Sequence, residues 1–256
     1  MIGIGITTYD REEKFNRVLN SIELPFVGRI VAVKDGGKPP YKNLPYKDQL
    51  YEFHQMTENI GVGRCKNFLI NKLLEKGCED IFLLEDDCLV KDNDVWEYCL
   101  SFRKESGLLH FNWNDYRYPR FSTAIFHKHK AALCHNTEGS FSYFHKKFLE
   151  EIRFDENYIN AWEHIDIEIQ GEKKGFLPPF RTFVSPADLG NYLQDIDTND
   201  SSITGKENYT ERVINGHHYF ENKWGKKVNE IDAVDIKTFY EKMKEITIKY
   251  ADRNNN

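Results

Sequence analysis

Three adjacent carboxylates, Glu85, Asp86 and Asp87, follow directly on the apolar run Ile81 to Leu84. A run too short for a helix that ends in acids reads as a buried parallel strand reaching the edge of a site, with its carboxylates turned to a ligand. Like charges disfavour one another's ionised forms, so all three stay ionised in a partly buried place only beside a cation. Oxygen donors of this kind suit Mg²⁺ or Mn²⁺. The competing reading is a solvated acidic turn.

Two glycine-bearing stretches offer complementary chemistry. Lys34-Asp35-Gly36-Gly37 follows the strand-like Arg29 to Val33. Its glycines permit close backbone approach and Asp35 can accept from a base or ribose, although Asp-Gly is also a common turn. The stretch Asn59-Ile60-Gly61-Val62-Gly63-Arg64-Cys65-Lys66-Asn67 opens a helix that runs through Leu73 and stops at Gly77. Free backbone N–H groups at the helix start, with Arg64 and Lys66, make a cradle for a diphosphate. A glycine-rich cap with a solvated basic face would look the same.

The elements that must position these groups follow from periodicity. Ile2 to Thr7 alternates Ile with Gly and opens the fold as a buried strand. Asp10 and Glu13 have capping-box spacing, and Phe15, Val18, Leu19 and Ile22 form one apolar helix face. The turn Thr7-Thr8-Tyr9-Asp10-Arg11 lies beyond the carboxyl end of a strand, where open α/β sheets bind ligands. The order β-α-β-loop-α-β predicts an α/β fold with a mostly parallel central sheet flanked by helices. Leu50 to Met56 carries no decisive period. Leu108 to Trp113 reads as a strand ending in Asn112-Trp113-Asn114-Asp115, polar groups beside an aromatic plate that suit a sugar or, equally, the core. Five histidines lie between His110 and His145, but their spacing, His127-x-His129 included, does not make a metal site. Ser185 to Gly205 is a polar lid or disordered segment, and Ile236, Phe239, Tyr240, Met243 and Ile246 form a final amphipathic helix.

Composition narrows the classes. Lys and Arg number 35 against 41 Asp and Glu, a net charge of −6, so no overall basic field draws the chain onto nucleic acid. Five cysteines without a short-spaced pair predict reduced thiols and a cytoplasmic setting. No apolar run is long enough to span a membrane. The expected organisation is one domain over 1–253, with a first half at 1–107 and a second at 108–253, and a frayed tail at 254–256.

The ordered set Thr7-Thr8-Tyr9, Asp35-Gly36-Gly37, Asn59-x-Gly61-x-x-Arg64-x-x-Asn67 and Glu85-Asp86-Asp87 resembles the nucleotide-binding half of GT-A-fold glycosyltransferases, family 2 in particular. The resemblance implies a single Rossmann-like GT-A domain that binds a nucleotide-sugar, a UDP-sugar first among them. It places donor binding on Thr7, Thr8, Tyr9, Arg11, Asp35, Gly36, Asn59, Gly61, Arg64, Asn67 and Asp86. The acidic triplet corresponds to a DxD-type motif holding Mn²⁺ or Mg²⁺, with Asp87 the safest ligand and Glu85 a further one.

Further on, Phe154-Asp155-Glu156 precedes Trp162-Glu163-His164-Ile165-Asp166 and, nine residues later, Gly175. This resembles the same family's second signature, in which an acidic stretch opens a helix. The position of the family's catalytic Asp is His164 here, which leaves Glu163, His164 and Asp166, in that order, as candidates for the base. His164 has an ordinary pKa of ~6.5 and can accept a proton near neutrality, whereas Glu163 needs only to be ionised. The competing reading is an acidic helix N-terminus. Trp162, with Asn112 and Trp113, is expected on the side of a glycan or other hydroxyl-bearing acceptor. Asn215-Gly216-His217-His218 before Lys223-Trp224-Gly225 also looks like the family's C-terminal end, and His217 or His218 returned to the acids would complete a mixed metal site. A nucleotidyltransferase of similar fold and a non-catalytic nucleotide- or sugar-binding module are the alternatives.

Overall fold

The structure, a computed structural model, describes residues 1–252 apart from 24–27, 38–39, 43, 45–50, 115–119, 127, 136, 138, 160, 180–182, 197–208 and 231–234. Asp115, His127, most of the polar stretch after Ile196 and the 254–256 tail thus lie outside the described residues.

The chain begins with β1 (Ile2–Thr8), α1 (Glu12–Asn20), β2 (Arg29–Lys34) and β3 (Tyr51–Gln55). Then come α2 (Val62–Glu75), β4 (Asp80–Glu85), β5 (Cys88–Val90) and α3 (Val95–Ser106). The second half supplies β6 (His110–Asn112), β7 (Arg120–Phe126), β8 (His129–Cys134), β9 (Phe141–His145) and the short α4 (Lys146–Leu149). It continues with α5 (Glu163–Lys173), β10 (Phe183–Pro186), α6 (Leu189–Tyr192) and β11 (Leu193–Asp195). Two longer helices, α7 (Tyr209–Trp224) and α8 (Ile236–Tyr250), follow.

The central sheet has the order β3-β2-β1-β4-β9-β6. Its first four strands are parallel, and β9 runs antiparallel between β4 and β6. The expected mostly parallel sheet with flanking helices is therefore present, and the undecided Leu50 to Met56 stretch supplies its half-buried edge strand β3. Smaller sheets pair β10-β8-β7 and β11-β5.

Register is what positions the chemistry. Thr7 pairs with Val33 on one side and Glu85 on the other, so the first turn, Asp35 and the acidic triplet leave the sheet at one level. Behind that edge α1 buries Phe15, Val18 and Leu19 and α2 buries Leu69, Ile70 and Leu73. Each such side chain contributes roughly 1.5–3 kcal/mol by leaving water.

The capping box does not form. Arg11 is the N-cap of α1 and makes no side-chain cap bond, because Asp10, at φ 51°, instead receives Lys34 Nζ at 2.8 Å. At the other end of the chain, α8 buries Phe239, Met243 and Ile246 and packs on α3. Asp235 caps it, accepting from Lys237 N and Thr238 N at 3.0 Å each. A second, smaller core of Tyr158, Ile165, Ile169, Phe183 and Phe220 joins α5 to α7.

Candidate active site

One cleft at the carboxyl edge of the parallel strands is lined by Thr7, Thr8, Tyr9 and Arg11, by Asp35 and Asn59, and by Glu85 and Asp86, with Val62 and Cys65 completing the wall. Asp86 is its buried anchor. It accepts from Thr8 Oγ1 at 2.6 Å and from Arg11 Nε at 3.1 Å, and a second guanidinium nitrogen pairs with its other oxygen. Tyr41, which its loop does nothing to single out in sequence, accepts from Arg11 N at 2.8 Å and meets Thr8 Oγ1 at 2.7 Å. The one Thr8 hydroxyl proton points to Asp86, so Tyr41 is the donor to Thr8. Burial pushes the Tyr41 phenol up to about 12, which keeps that proton in place.

The two glycine stretches dock backbone on backbone. Asp35 accepts from Ile60 N at 2.7 Å on one oxygen and from Gly61 N at 3.1 Å on the other. Gly36 has φ +73°, and a Cβ there would overlap the Glu58–Asn59 backbone, so only glycine allows the approach. Buried Lys34 binds Asp10 Oδ1 at 2.8 Å and Gly36 O at 2.5 Å, tying the first turn to the second. Farther along, Asn67 donates to Phe154 O at 2.9 Å and accepts from Phe154 N at 3.1 Å, while Val62 N reaches Ile159 O at 3.2 Å. The Asn59 to Asn67 motif thereby holds the Phe154–Ile159 segment against α2, and Glu163 beyond it meets Lys66. Arg64 is on the outside of α2, its side chain 54% exposed and 3.6 Å from Glu156.

Lys66 takes the opposite direction. Its Nζ is 3.1 Å from Glu85 Oε1, 3.1 Å from Glu163 Oε1 and 3.4 Å from Gly139 O, and the residue is 1% exposed. Burial alone would lower the lysine, but Glu163 and Glu85 override it and hold the ammonium well above its usual range. Burial would likewise raise Glu163; Lys66 and then His164, whose Nδ1 is 3.6 Å away, hold that carboxyl far below the carboxylate range. Glu163 is therefore ionised, and its Oε2 is buried without a hydrogen-bond partner.

The backbone before Glu163 is strained. Ala161 and Trp162 have φ of 114° and 73°, and for a bulky residue a positive φ is an outlier. Such residues cost about 1–3 kcal/mol each and persist only where surrounding contacts over-determine them. Here those contacts are the Lys66–Glu163 pair on one side and, on the other, the Trp162 ring against His217 at 4.2 Å.

The remaining candidates have other surroundings. Asp166 is fully buried and receives Trp224 Nε1 at 2.8 Å, Gln170 Nε2 at 2.7 Å, Tyr158 OH at 3.3 Å and Lys223 at 2.8 Å, which binds α5 to α7. Asn112 is 2% exposed and bonded to Glu168 and Ser142; Trp113 is 4% exposed in the core. Neither offers a free face to an acceptor, whereas Trp162 is only partly buried. His129 is buried against Ser101.

A metal cage of Glu85, Asp87, His217 and His218 is not assembled. Among the described residues no group of three or more His, Cys, Asp or Glu could hold a metal ion. Glu85 faces Lys66, while His217 and His218 are exposed on α7. Asp87 does fit a cation. Its Oδ1 is buried without a hydrogen-bond partner, and Arg11 reaches only its Oδ2, at 3.5 Å. Burial, with Glu85 and Asp86 nearby, pushes its carboxyl up to about 8 despite Arg11. A hard cation with few protein ligands, completed by water and phosphate oxygens, matches that single carboxylate.

No protein-family model matches the chain, and no curated protein does. Solved structures do. The mannosyltransferase PcManGT from Pyrobaculum calidifontis, in complex with GDP-Man and Mn²⁺, superposes with a TM-score of 0.56 at 12% identity, over 98% of this chain and 70% of that one. S. aureus TarS 1-349 in complex with UDP-GlcNAc gives 0.51 at 11% identity, over 99% and 74%. In two further matches the chain spans 53% and 32% of the length of TarS chains. The chain therefore has a GT-A-like glycosyltransferase fold. Among the described residues no helix is long and apolar enough to cross a membrane.

Proposed function

We propose that the protein transfers a sugar from a nucleotide-sugar, UDP-linked in the first instance, to an acceptor hydroxyl with inversion. The observation that carries this reading is the cleft itself: the first turn, Asp35, Asn59 and the acidic strand end line one wall, and Lys66 links that wall to the buried carboxylate Glu163. The bound donors of the two similar structures, GDP-Man and UDP-GlcNAc, support a nucleotide-sugar and leave the base open.

Thr7 to Arg11 and Asp35 with Gly36 receive the nucleoside, and Arg11 lends charge toward the diphosphate. Asp87 would hold the Mn²⁺ or Mg²⁺, which when bound neutralises charge on the leaving diphosphate. Trp162 faces the acceptor. Glu163 Oε2 takes the acceptor's proton as its oxygen forms a bond to the anomeric carbon and the bond to the diphosphate breaks. A carboxylate held so firmly ionised is a weak base, so proton transfer comes late, once bond formation has acidified the hydroxyl. The 3.6 Å contact between Glu163 and His164 Nδ1 supports a second arrangement, in which His164 takes the proton and Glu163 orients it.

The test is a panel of UDP- and GDP-sugars scored for release of free nucleotide with and without Mn²⁺. Turnover of one donor that depends on the cation and on an added hydroxyl acceptor is expected. Nucleotide binding without turnover in any combination would leave a binding module.

A further inference from the structure

We propose that Lys66 is the positioning residue of the base, an internal cation that fixes Glu163 against the acidic end of β4. The inference rests on the glycosyltransferase reading and assigns Lys66 a role other than cradling phosphate. The ammonium is already engaged by a carboxylate on either side, Glu85 and Glu163, which leaves it no donor for a diphosphate. Its three N–H donors are matched by three acceptors, Glu85 Oε1 and Glu163 Oε1 at 3.1 Å and Gly139 O at 3.4 Å. A compact ammonium satisfies such a convergent set, whereas a planar guanidinium would not.

The consequence for Glu163 is geometric. Lys66 holds Oε1, so the carboxylate cannot rotate freely, and Oε2 is the oxygen left without a partner. Because the same ammonium holds Glu85, the distance between the diphosphate end of the cleft and the proton acceptor is set by one side chain on a rigid helix. That helix is itself clamped to the segment before Glu163 by Asn67. Catalytic groups need such fixing, since small misplacements cost large factors in rate.

Two variants test this. Lys66→Met keeps the stem and removes the charge. Gly139→Ala keeps the charge and adds a Cβ 3.2 Å from Lys66 Nζ and 3.6 Å from both carboxylates, at a position without positive φ. Both should lower kcat, Lys66→Met by roughly 10²-fold, with a smaller change in affinity for the nucleoside diphosphate measured by calorimetry. If Lys66 acts through Glu163, each variant should cost almost nothing further in a Glu163→Gln background. Losses that multiply in that background would overturn the role, because a merely structural defect adds to any other. If Lys66→Met does not fold, Gly139→Ala carries the same cycle, and unchanged kcat in that variant overturns the proposal. A wild-type protein that turns over no donor sinks the glycosyltransferase reading and the role of Lys66 with it; multiplying losses in an active enzyme sink only the latter.

Discussion

The side-chain amide of Asn67, midway along α2, closes on both backbone groups of Phe154, 87 residues away in the chain. This one residue orients the segment that delivers Glu163. Replacing it with Ala would leave a buried N–H and C=O unmatched, at about 1–3 kcal/mol each. Asn67→Ala should lower the thermal midpoint and reduce kcat more than nucleotide affinity. If the midpoint moves and turnover does not, Asn67 is a fold residue only.

Asp87 should make both stability and cation response depend on pH. Its folded carboxyl titrates near 8, against about 3.9 unfolded. The folded form therefore binds the extra proton between those values. Stability from this group is complete below about pH 4 and is lost as pH rises through about 8. Without cation, the thermal midpoint of the wild type should fall across that upper range, and Asp87→Asn should flatten the fall. Added Mn²⁺ or Mg²⁺ should stabilise the wild type more at about pH 8 than at about pH 6 and leave Asp87→Asn unmoved. Equal responses of the two proteins would take the cation away from Asp87.

For the base, Glu163→Gln should lower kcat by roughly 10²-fold or more, with donor binding little changed, and His164→Asn should cost much less. The reverse order, with a wild-type rate that falls as pH drops through ~6.5, would identify His164 as the proton acceptor.

Asp166 separates a catalytic from an architectural acid. Asp166→Asn removes the charge from a buried acid that receives Trp224 Nε1, Gln170 Nε2 and Lys223, the last of these also paired with Asp155 at 2.6 Å, and weakening that set costs about 1–3 kcal/mol. Unfolding by denaturant should register that loss, while kcat at low temperature stays within a few-fold of wild type. A large fall in kcat without loss of stability would return Asp166 to the chemistry.

Much of the frame was legible because buried parallel strands are continuous apolar runs with sharp polar ends, as in Ile2 to Thr8 and Asp80 to Glu85. The cleft lies at those ends, lined by Thr7, Thr8, Tyr9, Arg11, Asp35, Asn59, Glu85 and Asp86. Side-chain direction was harder. Arg64 and Lys66 are two residues apart, so on a helix they point about 200° apart and cannot share one cradle. The spacing alone did not say which one faced inward. The failed cap at Asp10 depended on Lys34, 24 residues away, and Tyr41 on an aromatic group with Phe15 and Phe53, so local patterns could not disclose either. Asn112 and Trp113 had the composition of a sugar platform, but burial is set by how β6 meets β9 rather than by residue type.

The placement of β9 bears on how the chain is made. Residues 1–107 carry all of β3, β2, β1 and β4, yet on the ribosome the outer side of β4 has no neighbour until Phe141–His145 has emerged. During that interval the nascent chain presents an apolar parallel strand with open backbone groups, the kind of edge that recruits other strands. A fragment ending at residue 107 should therefore self-associate, and synthesis slowed between residues 107 and 145 should lower the yield of monomeric protein.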